Sequence, residues 1–158
     1  VIKPSLKKQQ MKKWIHAVFF VTLIFSSTQC VRSQKTGVAD EDRLRADLMQ
    51  VHDEVMPRMG ELTMLAGQVK EILKQDTLLP AETRGQFEAT VREMEMAEEG
   101  MMDWMAGFRQ PEVLRATMGH EQIMAYLNAE KDKITEVSVQ IKSGIEKGKT
   151  IIGNYRKD

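Results

Sequence analysis

Met49, His52, Met56 and Met59 follow one another at steps of three, four and three, so on a helix they form one strip. Thioether sulfur and imidazole nitrogen are soft donors, suited to Cu(I) in an oxidising compartment where cysteine is scarce. Further along, Met101, Met102 and Met105 surround Trp104, and eleven of the twelve methionines lie beyond residue 30. A copper reading takes His52, Met56, Met59, Met101 and Met105 as ligands. The same residues have a plainer reading, because methionine is a flexible core filler and methionines at helical spacing usually belong to a core. His52 then sits at the core boundary and bonds an acid on the next helix. His120 falls near the start of a later helix, exposed.

Other chemistry finds few residues to work with. There is no phosphate loop, no GxSxG elbow, no CxxCH and no HExxH. A di-iron bundle needs Glu-x-x-His on two helices. Here Glu121 follows His120 directly, and Met49 stands three before His52. Cys30 is the only cysteine, so no intramolecular disulfide forms. The main expectation is a non-enzymatic protein without a cofactor. Nucleic acid is not an expected partner. All five bases among residues 1–30 are lysines with no acid beside them, which leaves 18 bases against 23 acids in the remainder. A mildly acidic body lacks the basic face that a phosphate backbone requires.

The start of the chain reads as a targeting segment. Met11-Lys12-Lys13 is a basic region, residues 17–25 (AVFFVTLIF) are a short apolar run, and Ser26-Ser27-Thr28-Gln29 leads directly to Cys30. Nine apolar residues are too few to span a bilayer, which takes roughly 20. The lone cysteine at the cleavage point resembles the lipobox of bacterial lipoproteins, in which the thiol is lipidated. Ser27 and Gln29 depart from the usual aliphatic and small residues of that box. The looser form resembles boxes of the Bacteroidota. The other reading is ordinary secretion with a free thiol. The expected division is a signal peptide over 1–29, with 1–10 an over-long start before Met11. The lipidated Cys30 and a flexible tether come next, over 30–39, and a helical domain occupies 40–158.

Three long apolar stripes define that domain. Leu44, Leu48, Val51, Val55, Leu62, Leu65, Val69 and Ile72 make the first, with Pro57 expected to kink it without ending it. Phe87, Val91, Met94, Met101, Met105 and Phe108 make the second, entered at Pro80 and stopped at Gln110-Pro111. Ile123, Leu127, Ile134, Val137, Ile141, Ile151 and Tyr155 make the third, with Gly144 and Gly148 in two of its slots to permit close helix approach. Residues 112–119 are a connection with room for one extra turn. No run alternates long enough for a strand. The predicted fold is all-α, an elongated antiparallel three-helix bundle with a thin core. A second copy or an envelope protein is the expected partner, and the membrane is reached through the N-terminal lipid.

One charge interrupts each stripe: Arg58 the first, Glu98 the second and Glu130 the third. Folding about residues 76–77 and again about 114 brings the three to one height. A buried polar layer in which Arg58 bridges the two glutamates would fix helix register. The alternative is that each charge reaches water from the edge of a thin bundle.

Residues 52–59 (HDEVMPRM), 101–108 (MMDWMAGF) and 126–145 (YLNAEKDKITEVSVQIKSGI) together resemble a group of small Bacteroidota lipoproteins often labelled "viral A-type inclusion protein". The resemblance covers most of the chain after Cys30. It implies a lipoprotein and a helical bundle, and it brings no activity and no site residue.

Overall fold

A computed structural model describes the backbone of residues 27–156 and the side chains of residues 37–156. The signal-peptide reading of residues 1–26 and the side chain of Cys30 lie outside the described residues. The chain divides into two units at Asp40/Glu41, and the second, Glu41–Asp158, holds the apolar core.

The protein is all-α. Helix α1 is Ser27–Val55, a 3-10 turn follows at Met56–Arg58, α2 is Met59–Gln75 and α3 is Ala81–Gly107. After the single turn α4, Pro111–Leu114, the last helix, α5, is His120–Tyr155. Among the described residues there are thus four long helices rather than three. Pro57 is the reason for the difference. It has no N–H, so the α-helical hydrogen-bond run stops and passes through a 3-10 turn. The flanking backbone stays right-handed helical, with Val55 at φ −99°, ψ −27° and Met59 at φ −57°, ψ −41°. The apolar stripe therefore keeps its phase, and Val55 and Leu62 are both fully buried. Helix α1 also runs through residues 31–39, where a flexible tether was expected. Polar residues do not forbid a helix, and Gly37 is the poorest helix former among them.

The α2–α3 turn is tied locally. Leu78 donates its N–H to the Asp76 carboxylate at 3.0 Å, and the Arg84 guanidinium donates to the carbonyls of Leu73 and Asp76 at the end of α2. Helix α2 then lies beside α5 in the same direction, while α3 runs against both. Gly144 and Gly148 make that packing close. A Cβ at Gly144 would sit 3.0 Å from Leu62 Cδ1 and 3.1 Å from Met94 Cγ, and one at Gly148 would sit 3.3 Å from Leu65 Cβ. Gly144→Val is therefore expected to lose roughly 1–3 kcal/mol by overpacking. Gly67→Ala, in open space on α2, should instead gain up to about 1 kcal/mol, the difference in helix propensity. Chemical denaturation of the two variants checks both signs.

The core line on α3 runs Phe87, Val91, Met94, Ala97, Met101, Trp104, and on α5 it runs Ile123, Leu127, Glu130, Ile134, Val137, Ile141, Ile145, Ile152. Trp104 and Ala97 take positions that the sequence reading assigned to Met105 and Glu98, and Ile145 and Ile152 replace Ile151 and Tyr155 as the deep residues near the end of α5. Leu114, on the short α4, is buried as well and closes one end of the core.

Candidate functional site

Two groups of side chains draw the helices together around chemistry-bearing residues. The first is a run of four rings. The His52 ring, on α1, lies 5.6 Å from that of Trp104, on α3; Trp104 stacks on Phe108 at 5.1 Å; and Phe108 lies 6.3 Å from Tyr126, on α5. Helical spacing places Trp104 and Phe108 one turn apart on one face. The Trp104 indole N–H donates to the Glu130 carbonyl at 3.3 Å, which satisfies the one polar atom of a ring that is only 6% exposed. The Tyr126 hydroxyl accepts from the Arg109 N–H at 2.7 Å and so fixes the far end of the run. The His52 Nδ1 lies 2.9 Å from the Asp53 carboxylate, on its own helix, rather than bonding an acid on the next helix.

Of the copper residues the structure shows one, His52, against this run. His52 faces Trp104, and in sequence Met101 and Met105 flank Trp104. Met101 is fully buried, whereas Met56, Met59 and Met105 are half-buried against the core. Met101 thus takes the packing role that methionine fills in ordinary cores. Among the described residues no three of His, Cys, Asp and Glu are grouped so as to hold a metal ion.

The second group was not anticipated. Glu41 opens the part of α1 that belongs to this unit, and its side chain is only 3% exposed. One carboxylate oxygen accepts from Arg115 Nε at 2.7 Å, and the other lies 2.9 Å from His120 Nδ1. Arg115 also reaches Asp42 at 3.0 Å. The hydrogen bond from Arg115 to Glu41 is the largest influence raising the guanidinium's pKa above its ordinary value. Positioning comes from the connection: Pro111 starts α4, Leu114 anchors it in the core, and Arg115 follows directly. His120 is then the first residue of α5, after Gly119, whose N–H donates to the Gln122 side chain at 3.0 Å. His120 therefore lies at the start of that helix and is exposed, as expected, but it carries a partner.

The polar layer does not form as expected. Arg58 pairs with Glu61 at 3.4 Å and Glu146 at 3.8 Å and touches neither Glu98 nor Glu130. Glu98 accepts from Thr63 Oγ1 at 3.2 Å on an exposed face. Glu130 is buried in the core line and pairs with Lys133, one turn away on its own helix, at 2.8 Å. The hydrogen bond to Glu130 is also the largest cause of the raised Lys133 pKa. The cause of the mismatch is the length of the connection. Gly100 lies against Val137 and Gly144 against Met94, so α3 and α5 fold about residues 118–119 and not 114. That offset moves Glu130 along the bundle by about nine residues, or roughly 13 Å at the helical rise. Arg58, with its side chain 34% exposed, makes surface pairs. Arg58→Met is accordingly expected to change stability by less than about 1 kcal/mol in a denaturant titration.

The described surface also carries open depressions. One, of about 400 Å³, lies between α3 and α5 and is lined by Gly100, Trp104, Gly107, Glu130 and Lys133 among others. Another, of about 700 Å³, sits at the α2–α3 turn beside Leu78, Leu79, Phe87 and Tyr155. There Tyr155 donates to Asp76 at 3.3 Å, and burial first, then the Asp76 charge, push its hydroxyl pKa up.

Comparison with known proteins finds no matching family model, no similar curated protein and no similar solved structure.

Proposed function

We infer that this chain is a lipid-anchored helical module of the bacterial cell envelope, a scaffold or interaction protein and not an enzyme. The observation that carries the reading is the order of basic, apolar and small polar residues running directly into the only cysteine, Cys30. The resemblance to small Bacteroidota lipoproteins supports the same reading. No helix among the described residues is long and apolar enough to cross a membrane. An N-terminal lipid would supply attachment by itself, since two or three acyl chains anchor stably where one is marginal. In this reading α1 and α2 act as one bent arm across the Pro57 turn, and the body works as an antiparallel three-helix bundle. Its partner is a second copy or another envelope protein. Membrane flotation in the native host tests the anchor. The wild-type protein should float with the membrane fraction, and Cys30→Ala should leave it as an uncleaved or soluble product. Equal flotation of both, with the variant cleaved like the wild type, would remove the lipid from the account.

A second reading, a copper-type site, rests on one feature of the geometry. His52, on α1, lies over Trp104, with Met101 and Met105 on either side of that residue in the α3 sequence. A soft cation bound by His52 would have the Trp104 indole beside it. Titration of residues 31–158 with Cu(I) against a competing chelator decides it. No competition at micromolar metal ends this reading, whereas binding lost in the His52→Leu, Met56→Leu double variant would promote it.

A further inference from the structure

Residues 41–55 of α1 are held to the rest of their unit by different devices at their two ends. At the start, the buried Glu41 carboxylate engages Arg115 and His120, which belong to the α4–α5 connection and the first turn of α5. At the end, the helix is interrupted by the Met56–Arg58 turn, where Pro57 cannot donate a hydrogen bond. Between these ends the attachment is light. Leu44, Leu48 and Val55 are the buried apolar residues, His52 rests on Trp104, and Lys131 makes an exposed pair with Asp47 at 3.3 Å. Docking also buries the Arg45 Nε without a hydrogen-bond partner, a cost that exposure to water relieves. By contrast α2, α3 and α5 interlock through Leu62, Leu65 and Met94 against Gly144 and Gly148.

We propose that residues 41–55 form a strap that opens as a unit about the Met56–Arg58 turn, latched shut by Glu41 on Arg115 and His120. Opening lifts His52 off Trp104 and exposes the aromatic face of α3, so the bundle has a second state with a new apolar surface. Segments of this kind, with few buried contacts and a mechanical break at one end, open below the global unfolding threshold. The latch sets how often the strap opens, because both carboxylate oxygens of Glu41 are engaged and nothing else polar on residues 41–55 is held as deeply. The proposal does not depend on the lipid anchor.

Native-state hydrogen exchange on the full chain, read by mass spectrometry, is the test. Arg115→Met and Glu41→Gln should each speed exchange of the amides of residues 44–55 by about tenfold or more, the scale set by a lost charge-assisted hydrogen bond. In the wild type the amides of residues 44–55 should already exchange through a smaller opening than those of residues 91–101 and 134–145, which wait for global unfolding. Pro57→Ala returns the missing donor to the turn and should slow exchange at 44–55 in an otherwise unchanged chain. Equal protection of residues 44–55 and of residues 91–101 and 134–145 in the wild type would show that α1 opens only with the whole bundle and that no strap exists. No acceleration at 44–55 in Glu41→Gln, the milder variant, would overturn the latch even if Arg115→Met failed to fold. Unchanged or faster exchange there in Pro57→Ala would overturn the hinge.

Discussion

Trp104→Ala is expected to lower the stability of the bundle by roughly 3–5 kcal/mol, the range for removing a buried aromatic side chain. The ring is almost fully buried and stacks on Phe108, with His52 across from it on α1. Its removal opens a cavity where α1, α3 and α5 converge, and the helix axes cannot simply close over it because Met101 and Leu127 already fill their own places at zero exposure. Trp104→Phe keeps most of the apolar contact and loses the indole N–H bond to Glu130, so it should cost about 1 kcal/mol. Urea titration of the three proteins gives the comparison. A loss below about 1 kcal/mol in Trp104→Ala would mean that the ring lies at an edge and not at a junction.

The second large effect belongs to Glu41. Arg115→Met strands a carboxylate that is shielded from water and leaves it His120 alone, at an expected cost of about 3 kcal/mol. Glu41→Met should cost less. The Arg115 side chain is 28% exposed and keeps Asp42, so the cation is not abandoned. The double variant Glu41→Met, Arg115→Met should be more stable than the sum of the two losses implies, because an apolar pair can replace a buried ion pair at little cost. Equal single effects that add in the double variant would place the pair in solvent, where such bridges contribute little.

The stripes were legible because leucine, isoleucine and valine at steps of three and four leave few alternatives to helix. The finer misreadings have particular causes. Ala97 is fully buried but too small to stand out as a core marker, so the reading of the second stripe passed over it to Glu98. The same one-residue ambiguity chose Met105 over Trp104. Of the three charges read as stripe interruptions, only Glu130 is buried in the core line. Pro57 was visible in the sequence, but whether it bends a helix or divides it depends on a few hydrogen bonds. The Glu41 cluster joins residues more than seventy positions apart, and no local pattern announces that. One signal was present: Glu41, Leu44 and Leu48 step by three and four, which puts an acid in phase with the first stripe. The height of Glu130 was misjudged because the connection between α3 and α5 holds a full extra turn at Pro111–Leu114.

The proposed function rests above all on Cys30. The most direct measurement is incorporation of labelled palmitate by the native host, followed by capture of the protein and its Cys30→Ala variant. The account predicts label on the wild-type chain and none on the variant. Label of equal strength on both, or on neither, would contradict it.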